Sequence, residues 1–251
     1  GDIMLVLIKD DYRQISIEAS LQIASQIKMK PDSVIGFATG STPLGLYKEL
    51  IRMHKDEGLD FFKVISFNLD EYVGLPPSHP ESYHYFMWEN LFKHVNINPS
   101  NVHIPMGMAD NIGVFCNWYE DKIKSYGGIE IQILGIGANG HIAFNEPGSS
   151  LGSRTRIKTL GEKTRLDNSR FFNNLDEVPK YAITMGVGTI MEAKKLLLLA
   201  SGLNKAEAIK STVEGPIMAK YPATIVQYHR YATIIIDKEA ASTLEGAYID
   251  K

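Results

Sequence analysis

The chain has 251 residues, a formal net charge of −3 and a single cysteine, Cys116. The near-neutral balance excludes the broad basic footprint of a nucleic-acid binder, and no apolar run approaches the ~20 residues of a membrane-spanning helix. A lone cysteine excludes disulfides and thiolate metal sites and argues for a reducing, cytoplasmic compartment. The length admits one large domain or two small ones, and no Pro/Gly/Ser-rich linker or charge block divides it, so one domain is expected. No signal peptide is visible. Gly1-Asp2-Ile3 before Met4 reads as a cloning remnant, leaving 4–251 as the domain.

Met4 to Lys9 (MLVLIK) reads as a strand. Asp10 or Asp11 can cap the helix that follows, in which Ile15, Ala19, Ile23 and Ile27 recur at helical spacing. After a turn at Pro31-Asp32-Ser33, Val34 to Ala38 is a continuous apolar strand of the buried, parallel kind. Thr39-Gly40-Ser41-Thr42-Pro43 leads into a helix over 44–54, with Thr42 as cap and Pro43 as first helical residue. Val64 to Phe67 is a strand ending in Asn68-Leu69-Asp70-Glu71-Tyr72, and Pro80-Glu81 opens an aromatic-rich helix up to His94. A short strand at 101–104 and a helix at 111–126 precede the buried strand Ile129–Ile133 and the loop LGIGANGHIAFNEPG at 134–148. Arg154 to Thr159 alternates like a strand. Leu160 to Val178 is polar and weakly patterned and reads as a mobile segment or lid, with an extent of about 160–183. Strands at 181–185, 195–200 (KLLLLA) and 231–236 (YATIII) complete the pattern, with helices starting at Gly186 and after Lys205. This alternation predicts an α/β fold, a single Rossmann-like domain with a mostly parallel sheet flanked by helices.

The loop at 134–148 concentrates the chemistry. Gly135-Ile-Gly137-Ala-Asn-Gly140 satisfies the dinucleotide pattern G-x-G-x-x-G, but Pro147 and Gly148 rule out the long helix that pattern must open, and the region near 160 offers only Glu162 for a ribose, outside any strand end. His141 and Glu146 form a titratable pair at the carboxyl end of a buried strand, where open α/β sheets place their sites. Asp70-Glu71 occupies a similar position. One of the two can be a catalytic carboxylate supported by its neighbour, and Asp70 can equally cap a turn.

Two further loops suit an anion. Thr39–Pro43 offers hydroxyls, Gly40 and a helix end, without the G-K-[ST] of a triphosphate site. Ser201-Gly202-Leu203-Asn204-Lys205 repeats the arrangement and places Lys205 near the first turn of a helix, where a cation opposes the dipole unless an anion binds. Arg170 in the lid can reach a bound anion or remain a surface arginine. There is no H-E-x-x-H and no metal-ligand spacing among the seven histidines. The inventory describes proton transfer on a small phosphorylated substrate.

FNLDEYVGL at 67–75, HPESYHYFM at 79–87, GHIAFNEPGSSLGSRTRIKTL at 140–160, NSRFF at 168–172 and VPKYAITMGVGTI at 178–190 closely resemble the glucosamine-6-phosphate deaminase family. The resemblance runs from about Met4 to the last strand. It implies a NagB/RpiA-like fold and an enzyme of amino-sugar catabolism that turns glucosamine 6-phosphate and water into fructose 6-phosphate and ammonium, with no cofactor and no metal. It implies Asp70 as the base at C2 of the opened sugar, His141 for the ring-opening proton transfer, and Glu146 orienting and tuning His141. It further implies Gly40, Ser41, Thr42, Arg170 and Lys205 as phosphate ligands. Some members carry Asp where this chain has Asn139, which cannot ionise but can hydrogen-bond His141 or the substrate. Ser149, Arg156, Lys158 and Thr159 match the site at which hexameric members bind N-acetylglucosamine 6-phosphate. Those members have a longer tail beyond Leu244, so activation is expected to be weak or absent. The sequence leaves a hexamer or a monomer open. The rival readings are a 6-phosphogluconolactonase and a sugar-phosphate-sensing module. D-E-Y-V-G-L and F-N-E-P favour the deaminase over the lactonase, and the acid–base set disfavours a mere sensor.

Overall fold

Short runs of Val, Ile and Leu separated by amphipathic stretches can bury both strand faces only between two helix layers. The computed structural model, which describes residues 4–250, has that arrangement; Gly1-Asp2-Ile3 lie outside the described residues. The strands are β1 (Leu5–Lys9), β2 (Val34–Phe37), β3 (Ile65–Asn68), β4 (Asp70–Tyr72), β5 (Val102–His103), β6 (Ile131–Leu134), β7 (Arg156–Thr159), β8 (Tyr181–Thr184), β9 (Lys195–Ala200), β10 (Ala232–Asp237) and β11 (Ile249–Asp250). The helices are α1 (Tyr12–Met29), α2 (Leu44–Glu57), α3 (Tyr83–Asn90), α4 (Ile112–Ser125), α5 (Glu162–Asn168), α6 (Val187–Met191) and α7 (Ala206–Glu214).

The main sheet has eight strands in the order β11-β1-β10-β9-β6-β2-β3-β5, every neighbouring pair parallel. From β2 the chain steps outward to β3 and β5. It then returns to β6 and steps the other way through β9 to β10. The two directions part between β2 and β6, which opens a crevice beyond the carboxyl ends of those strands. β2 and β6 are buried at every residue.

Several expectations need correction. β7 and β8 do not join the parallel sheet. With β4 they form a separate antiparallel sheet in the order β4-β8-β7. The alternation of half-buried and exposed residues in β7 suits a strand covered on one face only. Thr42 does not cap α2. Pro43 occupies the cap position without a side-chain bond, and the Tyr12 hydroxyl of α1 accepts from Gly45 N–H at 2.8 Å while facing the Thr42 carbonyl at 2.8 Å. α3 starts after the Ser82 cap rather than at Pro80-Glu81, and it stops at Asn90 because Leu91 leaves helical geometry. Within the 160–183 stretch the chain forms α5 and two single turns, and 181–183 belong to β8.

A second apolar cluster of Tyr72, Phe144, Leu160 and Ala182 lies apart from the main core. It joins β4, the 134–148 loop, residue 160 and β8, and so roofs the crevice.

Candidate active site

The loops that follow β9, β6, β2 and β3 lie side by side, because those strands are consecutive in the sheet. They carry the candidate acid–base residues and all the candidate phosphate ligands but Arg170: Ser201–Lys205, Leu134–Gly148, Thr39–Pro43 and Leu69–Asp70.

His141 is set by backbone geometry as much as by side chains. Gly137 N–H donates to the His141 carbonyl at 2.9 Å and Gly140 N–H to the Gly137 carbonyl at 2.9 Å, closing a tight turn. A Cβ on Gly137 would stand 2.1 Å from His141 Cε1, so the imidazole lies directly against this glycine. Two residues on, Ala143 adopts φ 50°, a sparsely populated region for a side chain-bearing residue.

The ring's polar contact is Asn139, not Glu146. His141 Nδ1 lies 2.6 Å from Asn139 Oδ1, and the His141 backbone N–H donates to the same oxygen at 3.2 Å. Asn139 Nδ2 donates to Glu146 Oε2 at 3.3 Å. An oxygen opposite Nδ1 requires the proton on Nδ1, which leaves Nε2 as the basic nitrogen. Burial lowers the His141 pKa, the charge of Glu146 raises it, Lys205 lowers it and Asp167 raises it. The expectation that Glu146 orients His141 is thus corrected. Glu146 acts at a distance through its charge, and Asn139 bridges the two.

Asp70 and Glu71 alternate across β4 and meet different surroundings. Glu71 accepts from Tyr72 N–H at 2.8 Å, Tyr83 N–H at 2.9 Å and His84 N–H at 2.9 Å, so it caps the start of α3. Burial nevertheless pushes its pKa up to about 7. No hydrogen bond reaches the Asp70 carboxylate among the described residues, and it is only 7% exposed. Burial and, next, the charge of Glu71 push its pKa up to about 8. An ionised carboxylate buried without a partner is costly to a fold, and with its pKa raised this far Asp70 is a strong proton acceptor once it is ionised.

Thr184 fastens these centres together. It pairs with Asp70 across β4 and β8, and its Oγ1 accepts from Phe144 N–H at 3.2 Å. Asn145 Nδ2 adds a bond to the Met185 carbonyl at 2.9 Å. Thr184 and Asn145 lie within the motifs that carry the resemblance, but their anchoring role depends on the antiparallel sheet that the pattern did not reveal.

Among the anion candidates, Gly40 has φ 95°, Ser41 is exposed and Thr42 half-buried at the edge beyond β2. Lys205 stands at the cap position immediately before α7, next to its first turn as expected. Its Nζ donates to the Ile136 carbonyl at 2.7 Å, and burial lowers its pKa. The loops after β9 and β6 therefore meet through this lysine. Arg170 is not brought to these groups. It is exposed, with its guanidinium 4.6 Å from the centre of the Phe171 ring.

The effector-like residues are split. Arg156 and Lys158 share one face of β7 and are half-buried, whereas Thr159 is exposed on the other. The Arg156 guanidinium donates to Asn145 Oδ1 at 2.9 Å, which ties β7 to the residue beside Glu146. Ser149 is buried, and its Oγ has no hydrogen-bond partner among the described residues.

The family model described as glucosamine-6-phosphate isomerases/6-phosphogluconolactonase matches residues 12–235. The glucosamine-6-phosphate deaminase of Thermoanaerobacter sp. (strain X514) is 56% identical, covering 96% of this chain and 95% of that protein. That of Halothermothrix orenii is 55% identical over 96% of this chain and 100% of its own length. The solved structure of a monomeric glucosamine-6-phosphate deaminase, described as a missing link of the NagB superfamily, superposes with a TM-score of 0.94 at 47% identity, covering 96% of this chain and 100% of that one. The 6-phosphogluconolactonase of Leishmania guyanensis shares the fold, with a TM-score of 0.76 at 21% identity over 97% of this chain and 100% of that one.

Proposed function

The chain belongs to the family of glucosamine-6-phosphate isomerases and 6-phosphogluconolactonases, and from that premise we propose that it converts glucosamine 6-phosphate and water to fructose 6-phosphate and ammonium. The observation that carries the reading is the common anchor at Thr184: an unpartnered buried carboxylate, Asp70, and the loop bearing His141 are fastened to one residue.

In this reading His141 Nε2 handles the proton of the ring hydroxyl and opens the sugar. Asp70 then takes the proton from C2. The C–H electron pair becomes the C1–C2 double bond of an enolamine as the C1 oxygen gains a proton. Protonation at C1 leaves an imine at C2, water adds there, and the C–N bond breaks with ammonia leaving as ammonium. Asn139 keeps His141 in the Nδ1–H tautomer, and Glu146 sets its charge balance. Gly40, Ser41, Thr42 and Lys205 hold the phosphate, and Arg170 joins them when 160–178 closes as a lid. We place the enzyme in the cytoplasm and take it as a monomer, as the solved neighbour is described. With Thr159 turned away from Arg156 and Lys158, activation by N-acetylglucosamine 6-phosphate is weak or absent. Among the described residues no helix is long and apolar enough to cross a membrane.

The test is ammonium release from glucosamine 6-phosphate, run beside hydrolysis of 6-phosphogluconolactone. Stoichiometric ammonium and fructose 6-phosphate are expected. Lactone hydrolysis without ammonium would replace this reading with the lactonase one.

A further inference from the structure

Glu146 is the charged partner of His141, yet its own neighbourhood within the loop is thin. Its only side-chain contact there is the Asn139 amide at 3.3 Å, a long bond. Its other oxygen is held from outside the loop. The Thr164 hydroxyl of α5 donates to Glu146 Oε1 at 2.5 Å. Four residues on, and therefore on the same helix face, Asn168 Nδ2 donates to the Tyr72 hydroxyl at 2.9 Å. Thr164 and Asn168 are half-buried, while Glu162, Lys163, Leu166 and Asp167 around them are exposed. α5 thus presents one polar stripe to the crevice, and that stripe ends on Glu146 and on the aromatic roof.

We propose that Thr164 is a positioning residue, which joins the 160–178 segment to the proton-transfer centre through an unbroken chain from Thr164 to Glu146, Asn139 and His141. The hydroxyl fixes the Glu146 carboxylate in the plane where it can accept from Asn139 Nδ2, and Asn139 in turn holds Nδ1 of the imidazole. When α5 is docked, the chain is complete and Nε2 is oriented. When α5 lifts away, Glu146 loses its strongest donor and the imidazole loses its fixed orientation. Acid–base competence then depends on α5 being docked on Glu146, as it is in this structure, before Arg170 completes closure of the segment over the sugar.

The charged groups that act on His141 are Glu146 from its own loop, Lys205 from the turn before α7 and Asp167 from α5. Removing the Thr164 donor leaves the Glu146 charge less offset, and so favours protonated His141. The proposal rests on the deaminase reading for its rate effects but not for its titration effect, so the two can fail separately.

The experiment compares Thr164→Val and Thr164→Ser with the native protein in two readouts. The first is the His141 titration by NMR without substrate, and the second is kcat and KM for ammonium release. Thr164→Val is expected to move the His141 midpoint upward and to lower kcat roughly tenfold, the scale of one hydrogen bond to a charged group, with KM changing less than about twofold. Thr164→Ser keeps the hydroxyl and is expected to restore both. An unmoved His141 titration in Thr164→Val would overturn the proposal, whatever the rates. So would a higher KM at native kcat, because Thr164 would then only hold the segment down. If native protein releases no ammonium, the deaminase reading falls while the titration still decides the role of Thr164.

Discussion

His141 donates its Nδ1–H to Asn139 Oδ1, 2.6 Å away. Asn139 cannot carry charge, so the contact fixes the tautomer but stabilises the imidazolium far less than a carboxylate would. The only carboxylate the chain reaches, Glu146, stands one amide further off. Burial then lowers the His141 pKa, and the ring stays neutral and basic at Nε2 around neutral pH.

Asn139→Asp tests that arrangement. A carboxylate in contact with the ring favours its charged form. The His141 midpoint, read by NMR, is expected to rise by about one unit or more, with activity retained but its pH profile displaced upward. Asn139→Ala removes the tautomer lock and is expected to lower kcat by roughly 10²-fold, as for a disabled acid–base group. A native His141 titration in both variants would remove Asn139 from the site.

Asp70 also makes a stability prediction. Its folded pKa of about 8 lies above its ordinary value of 3.8, so the native state holds the proton more tightly than the unfolded chain. The stability tied to that proton is complete below about pH 4 and is lost as pH rises through 8. Asp70→Asn removes the buried charge. Its Tm is expected to match the native protein near pH 4 and to exceed it by ~5 °C or more at pH 9. Equal Tm values at pH 9 would show that the carboxylate is not desolvated.

Gly137→Ala tests how the ring is seated. The added Cβ would fall 2.1 Å from His141 Cε1, so the imidazole must turn away from its position. A kcat loss of about 10²-fold is expected, the scale of a ~1 Å misplacement, with circular dichroism unchanged. Near-native kcat would mean that the ring position is not critical.

The polar contact between α1 and α2 is open to the same treatment. Tyr12→Phe leaves Gly45 N–H without its acceptor and is expected to cost about 1–3 kcal/mol of stability. It also loosens the Gly40–Thr42 turn, so KM for the sugar phosphate should rise several-fold at nearly constant kcat. A native KM would separate that turn from the phosphate.

What the sequence revealed and what it hid divide along one physical line. The buried parallel strands were legible, because KLLLLA, VIGFA and YATIII are continuous apolar runs bounded by turns. So was the clustering of Asp70, His141 and Lys205 at one edge, because each follows such a strand. The antiparallel sheet was not. Asp70–Tyr72 is three residues long, and its partner β8 is far along the chain at Tyr181–Thr184, so the pairing rests on tertiary contacts rather than local pattern. With that sheet hidden, Thr184, Asn145 and the β7–Asn145 contact were hidden too. The α2 cap failed for a similar reason, since Tyr12 arrives from another helix. His141 and Glu146 were found together, but only the fold shows Asn139 standing between them.

The most direct test of the account is Asp70→Asn, assayed for ammonium release and, in the same preparation, for glucosamine 6-phosphate binding by calorimetry. With the base removed and the phosphate loops intact, turnover should fall by at least ~10³-fold, with Kd within a few-fold of the native value. Retained turnover with unchanged binding would contradict the assignment of Asp70 as the base at C2.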